Sequence, residues 1–318
     1  MTIIYDVAII GGGSAGMSTA LYCKRAGMNP LIIERGLMGG QINNTESIEN
    51  YLGVGNISGE ELSEAMHNQI LENDIEIVYA NIKEITFDEI DKTAILQTRK
   101  NTIKAKSVVL ATGVEHKELG VKGEKENQGN GVSYCAICDG YFFKDKDVVV
   151  IGGGDSAFEE GAFLADIAKS VTLMYYKSES DIKAKHDLVD KFSAKDNTYI
   201  IPNTNVIEIN GHDDRLRLNV EFGLTKPVEG LSMALANELD TDGVFVYVGV
   251  KPINKLAIDL GLALDKDGYI KVDSKLQTSR DGVFAIGDII HPDIKQVAIA
   301  VSDGAIVSKH IKDYLNNL

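Results

Sequence analysis

Cysteine is scarce in this chain: three in 318 residues, too few for the disulfide framework of a small secreted domain. Two of the three stand with two residues between them, which points to redox chemistry in a reducing, cytoplasmic setting. Basic residues are outnumbered as well, 32 against 47 acids, for a net charge of -15. Such a balance excludes the basic surface that nucleic acid requires and disfavours an anionic membrane face. Long apolar runs are missing too. The first stretch, Val7 to Ile10, stops at Gly11, far short of a bilayer span, and no basic leader precedes it, so no targeting segment is expected. Histidines 67, 116, 186, 212, 291 and 310 are scattered without ligand spacing, and no metal site is predicted. Hydrophobic content of 44% over this length is enough for two cores.

What the chain does have is an internal repeat. Asp6-Val7-Ala8-Ile9-Ile10 runs into Gly11-Gly12-Gly13-Ser14-Ala15-Gly16, and Asp147-Val148-Val149-Val150-Ile151 runs into Gly152-Gly153-Gly154-Asp155-Ser156-Ala157. The offset is a constant 141 residues (Gly11 to Gly152), and each copy continues into a helical stretch and a second apolar strand. These are two βαβ units with a glycine-rich strand-to-helix turn, where backbone can approach a pyrophosphate at a helix N-terminus. In the first copy the second strand ends at Glu34, a carboxylate placed for a ribose diol. The same offset lands on Tyr175 in the second copy, neither the acid expected for NAD nor the arginine expected for a 2′-phosphate.

Between the copies lies Cys135-Ala136-Ile137-Cys138-Asp139. Two intervening residues let the sulfurs meet, so the pair can cycle between dithiol and disulfide. Half of a zinc site is the competing reading, but no second cysteine or histidine pair supplies the other ligands. Cys23, on the first predicted helix, is expected to be a small core residue.

These elements, together with Gly39-Gly40-Gln41, Glu49-Asn50-Tyr51, Ala111-Thr112-Gly113, Asp242-Gly243-Val244-Phe245 and Gly282-Val283-Phe284-Ala285-Ile286-Gly287-Asp288, run over essentially the whole length. On them the chain resembles the low-molecular-weight thioredoxin reductases, a flavoprotein family. The resemblance implies an α/β fold of two Rossmann-like FAD/NAD(P)-binding domains, each a three-layer ββα arrangement, the second inserted in the first. The expected bounds are residues 1–114 plus 245–318 for the FAD domain and 115–244 for the inserted domain. It further implies FAD held by Gly11, Gly13, Ser14, Ala15, Gly16, Glu34, Arg35, Gly39, Gly40, Gln41, Asn50, Ala111, Thr112, Gly113, Gly287, Asp288, Gln296, Val297 and Ala298. Cys138 is expected to exchange electrons with the flavin, Cys135 to attack a partner disulfide, and Asp139 to serve as acid/base. A homodimer is implied, as is rotation of the inserted domain about residues 114–117 and 241–244.

One departure bears on the electron donor. NADPH-dependent members carry a His-Arg-Arg stretch and a later Arg; here stand Tyr175, Tyr176 and Lys177, followed by Lys183 or Lys185. Losing two charge-assisted contacts of about 1.5–3 kcal/mol each weakens NADPH by roughly a hundred- to ten-thousand-fold. The chain is similar in this respect to ferredoxin-dependent and other pyridine-nucleotide-independent flavin thioredoxin reductases. NADP(H) therefore fits poorly, and reduced ferredoxin is the favoured donor, with a thioredoxin-like protein as acceptor. Residues 177–195, with five lysines against four acids, form a near-neutral island for docking. The alternatives are an NADPH-dependent reductase with an atypical phosphate site, NADH as donor, a reductase serving a peroxiredoxin, and a non-enzymatic redox-sensing flavoprotein. A ferredoxin NADP reductase of similar fold would lack the cysteine pair.

Overall fold

The computed structural model describes residues 3–45, 48–88, 90–212, 215–222, 237–291 and 294–318. The chain divides into two compact units, one formed by Met1–Glu115 with Lys251–Leu318 and the other by His116–Val250.

In the first unit a five-stranded parallel sheet has the order Val283–Ala285, Val108–Leu110, Val7–Ile10, Pro30–Glu34, Glu76–Tyr79. Val7–Ile10 reads as an unbroken apolar run because both of its faces are covered. Val7, Ile9, Ile32 and Val109 pack with Met17 and Ala20 of helix Ser14–Arg25 and with Val307 and Ile311 of helix Val297–Leu315. Ala8, Ile10, Leu31, Ile33 and Val108 face the other way, onto Ile85, Leu96 and Ile103 of a second, four-stranded sheet. The unit is thus three-layered: helices, parallel sheet, largely antiparallel sheet. Cys23 is fully buried among apolar neighbours, and burial pushes its thiol up to about 12, so it behaves as core.

The second unit repeats the plan. Its parallel sheet runs Val132–Ser133, Gly243–Val246, Asp147–Ile151, Ser170–Met174, Thr198–Ile201. Val148, Val150, Val171 and Leu173 pack on Phe158 and Leu164 of helix Asp155–Ala165 and on Phe192 of helix His186–Ser193. Val149, Ile151 and Val246 pack on Ile209, Leu216 and Leu218 of an antiparallel sheet built from Thr204–His212, Arg215–Phe222 and Glu238–Thr241. The alternation predicted for both βαβ units and the three-layer plan are therefore present twice. Among the described residues no helix is long and apolar enough to cross a membrane.

Candidate active site

The first glycine loop begins where strand Val7–Ile10 ends. Gly11 has φ +116°, and a Cβ there would lie 2.2 Å from the Ala111 carbonyl oxygen. One at Gly16 would lie 1.9 Å from the Gly11 oxygen. Only glycine permits both the turn and this packing. Helix Ser14–Arg25 starts at Gly13 with no side-chain cap and no acid in its first turn. Its leading N–H groups are thus left for an external acceptor, which is what a pyrophosphate needs.

Glu34 closes this loop. Its Oε2 accepts from the Gly12 N–H at 2.6 Å and its Oε1 from the Gly36 N–H at 2.7 Å, leaving lone pairs for a diol. Arg35 beside it is exposed. Gly39 donates its N–H to the Gly12 oxygen at 2.8 Å, bringing Gly39, Gly40 and Gln41 alongside, and Gln41 Nε2 donates to the Val114 oxygen at 2.9 Å. Ala111 follows strand Val108–Leu110 and leads to Thr112, whose hydroxyl donates to the Ile253 oxygen at 2.8 Å, and to Gly113. Asn50 Nδ2 donates to Gln296 Oε1 at 2.8 Å, and Gln296 directly precedes the helix whose first turn carries Val297 and Ala298.

Gly287 abuts Ala15, where an added Cβ would come within 2.9 Å of the Ala15 Cβ. The following Asp288 is partly buried; desolvation holds its carboxyl above the usual range, opposed by Lys295 and His291. Sequence reasoning missed what holds this turn. Asp303, buried in an otherwise apolar helical stretch, accepts from the Gly287 N–H at 2.9 Å and meets His291 Nε2 at 2.9 Å. An acid among Ala300, Val301 and Ile306 was the available signal. The glycine cradle, uncapped helix and acid together fit FAD.

The cysteine pair belongs to the second unit. Cys135 and Cys138 form a disulfide with Cα atoms 5.4 Å apart, at the start of the short helix Ala136–Asp139. Cys135 is half-buried and Cys138 exposed. Cys135 Sγ accepts from the Cys138 N–H at 3.2 Å. Ser133 Oγ donates to Asp139 Oδ2 at 2.6 Å and accepts the Cys135 N–H at 3.1 Å, so one hydroxyl joins the acid to the first cysteine. Directly after the pair, Tyr141 and Phe142 are 71% and 74% exposed, whereas Phe143 is buried. Large apolar side chains this open are unusual on a protein surface, and these two directly follow the cysteine pair. Sequence alone could not separate these two rings from the buried third.

Behind the turn, the Ala136 N–H is shared between Tyr247 Oη at 2.8 Å and Glu160 Oε2 at 3.1 Å, and the Tyr247 hydroxyl donates to the same carboxylate oxygen. Burial pushes the Glu160 carboxyl up to about 7, against the Tyr247 and Ala136 hydrogen bonds that lower it. Neither residue was a candidate from sequence.

The second glycine loop lies in a cleft of about 390 Å³ within the same unit. Tyr175 is buried over the loop, where a Cβ on Gly153 would sit 2.5 Å from its ring carbons. Its hydroxyl donates to the Asp181 oxygen at 2.9 Å. Of the three lysines considered for a 2′-phosphate, Lys183 lines the cleft. Lys185 donates its N–H to Asp155 Oδ1 at 2.9 Å and holds its ammonium 3.7 Å from Asp155 Oδ2. Lys177 Nζ stands 5.4 Å from the centroid of the Tyr176 ring. Asp155 is in the first turn of helix Asp155–Ala165, where the first copy has no acid.

The chain matches the family model described as pyridine nucleotide-disulphide oxidoreductase over residues 5–304. It is 39% identical over 315 residues to a thioredoxin reductase of Listeria innocua, covering 99% of this chain and 95% of that protein. Among solved structures, Lactococcus lactis thioredoxin reductase in its FR conformation superposes with a TM-score of 0.89 at 35% identity, over 99% of this chain and 100% of that one. T. acidophilum thioredoxin reductase gives 0.86 at 34% identity, over 98% of each chain. With two dinucleotide-type units and a disulfide-bonded cysteine pair in the second, the chain belongs to the pyridine nucleotide-disulphide oxidoreductase family, as an oxidoreductase of the low-molecular-weight thioredoxin reductase type.

Proposed function

We propose that this protein reduces the disulfide of a thioredoxin-like protein, using FAD held by the first unit and the Cys135–Cys138 couple of the second. The observation that carries the reading is the half-buried Cys135 followed by the exposed pair Tyr141 and Phe142. FAD, when bound and reduced by the donor, would supply the two electrons that open the Cys135–Cys138 bond. Asp139, which accepts the Ser133 hydroxyl, stands beside the couple as its acid/base. Cys135, as thiolate, attacks one sulfur of the partner disulfide and forms a mixed disulfide. Cys138 then displaces the partner, which leaves as a dithiol, and the Cys135–Cys138 bond closes again. Tyr141 and Phe142 bury against the partner during the exchange.

For the donor, we favour reduced ferredoxin over NADPH. The Tyr175 ring stands over Gly153 at the place of the acid, Lys185 is engaged with Asp155, and Asp155 sets a negative charge at the helix start that would meet a pyrophosphate. The 390 Å³ cleft with Lys183 at its wall is what favours the second reading, NADPH bound atypically. Anaerobic mixing of the oxidised holoprotein with NADPH, NADH and reduced ferredoxin in turn, followed by flavin absorbance, separates the two. Rapid bleaching by micromolar NADPH would overturn the ferredoxin reading; bleaching by ferredoxin alone supports it.

A further inference from the structure

The cysteine couple rests on a second carboxyl group besides Asp139. Ala136 is the residue after Cys135 and opens the helix that carries Cys138, so the direction of its N–H fixes how that turn sits. That N–H is taken from behind by Glu160 Oε2 and Tyr247 Oη, and Tyr247 ties the two acceptors together. Glu160 comes from helix Asp155–Ala165, and Tyr247 directly follows strand Gly243–Val246. Two elements distant in the chain thus converge on one backbone donor of the redox turn. A recessed carboxyl group is an expensive choice for that task, since a neutral acceptor would serve equally well as a hydrogen-bond partner.

We propose that Glu160, held by Tyr247, is a positioning residue that sets the redox equilibrium of Cys135–Cys138 through its charge. Reduction breaks the sulfur–sulfur bond and leaves, at alkaline pH, one thiol and one thiolate. An ionised Glu160 behind the turn opposes that thiolate and so favours the disulfide, making the couple a stronger reductant. A protonated Glu160 keeps the turn in place and removes the opposition. Its carboxyl is pushed up to about 7 by burial, so the change of state falls within the physiological range. The other titratable groups facing the cluster are Glu159 on the same helix, Asp139 from the redox turn, and His116, whose ring is 6.3 Å from that of Tyr247. Burial holds the His116 imidazole below its ordinary range.

The proposal rests on the disulfide reductase reading, and its test avoids donor and partner alike. The oxidised holoprotein is equilibrated with glutathione redox buffers at pH 6 and pH 8, and the fraction of Cys135–Cys138 disulfide is read by thiol alkylation. Two glutathione thiols supply the electrons and become glutathione disulfide. Glu160→Gln keeps an acceptor for Ala136 and removes the charge. It should shift the equilibrium toward the dithiol about tenfold at pH 8, roughly 30 mV, and less than about twofold at pH 6. A shift of equal size at both values, as a purely structural role would give, overturns the proposal, and so does no shift, or the same shift from Glu159→Gln. Tyr247→Phe is the second variant: without its donor the carboxylate is less stabilised, so the bend in the wild-type pH curve moves to higher pH. An unmoved bend again overturns it. A wild-type pair that never exchanges with glutathione defeats the disulfide reductase reading itself.

Discussion

Replacing Glu34 by Gln tests the cofactor cradle at its most ordered point. The wild-type carboxylate accepts two backbone N–H bonds, from Gly12 at 2.6 Å and Gly36 at 2.7 Å. An amide offers one oxygen and one NH₂ group, so one of those donors then faces another donor. A hydrogen bond to a charged group contributes about 1.5–3 kcal/mol, and losing one costs the loop about 2 kcal/mol, or roughly thirtyfold in an equilibrium. In the cofactor-free protein the same loss lowers the thermal midpoint by about 4–8 °C for a unit of this size. With FAD present a second loss is added, because the ribose diol meets a weaker acceptor. The loop's own loss is common to free and bound protein, so the dissociation constant for FAD, measured by quenching of flavin fluorescence on the cofactor-free protein, should rise by the second loss alone, about 1.4 kcal/mol or roughly tenfold. If the thermal midpoint falls while FAD affinity stays within about twofold of wild type, Glu34 is a loop staple only and the first unit binds its dinucleotide otherwise.

Cys135→Ser should abolish reduction of the thioredoxin-like partner in a coupled turnover assay while flavin reduction by the donor survives; retained turnover would reverse the assigned thiol roles. Tyr141→Ser combined with Phe142→Ser removes apolar area whose burial contributes about 1.5–3 kcal/mol per ring, so KM for the partner should rise tenfold or more with kcat little changed. An unchanged KM means docking occurs elsewhere. Stability should also respond to pH through Glu160, whose carboxyl rises from an ordinary 4.5 to about 7 in the folded state. Its neutral form is the one the fold favours, so the benefit is full below about pH 4.5, declines as pH rises toward 7, and is absent above. The difference amounts to ~3 kcal/mol between those limits, and it should vanish in Glu160→Gln when urea unfolding is followed at pH 5 and pH 7.5. Parallel pH curves for the two proteins contradict that assignment.

The features legible in the sequence are those a few neighbouring residues determine. Apolar runs ending in glycine announced both βαβ units, while the three-layer plan followed only from the family resemblance. The contrast between Glu34 and Tyr175 was legible for the same reason, being one offset applied to one chain. What stayed hidden depends on partners far apart in the chain. Ala136 and Tyr247 are 111 residues apart, and Glu160 stands in a helix whose Phe158-Glu159-Glu160 run gives no sign of which acid turns inward. Tyr141, Phe142 and Phe143 are three adjacent aromatics of which one is buried, a choice made by Phe245 packing edge-on against Phe143 at 5.3 Å. Asp303 could have been noticed as an acid in an apolar helix, but its target, the Gly287 N–H, could not.

The two glycine loops differ in what each presents to a dinucleotide. Each follows a buried strand and opens a helix without a side-chain cap, so each begins with the same backbone invitation to an anion. In the first, the glutamate at the strand end accepts the Gly12 N–H, and no acid stands in the helix's first turn. In the second, the aromatic ring at the equivalent place lies over Gly153, and Asp155 brings a carboxylate to the helix start, where it draws on the same dipole a phosphate would use. The Lys185 ammonium stands 3.7 Å from that carboxylate. Each change is modest alone, a fraction of a kcal/mol for a charge at an exposed helix end. Together they act on one ligand in one direction, so their effects on nucleotide affinity accumulate. The same unit carries the paired cysteines, the Ser133–Asp139 hydrogen bond and the Glu160–Tyr247 hydrogen bond behind them. The donor proposed above therefore turns on what the second loop presents to a dinucleotide and not on the cysteines.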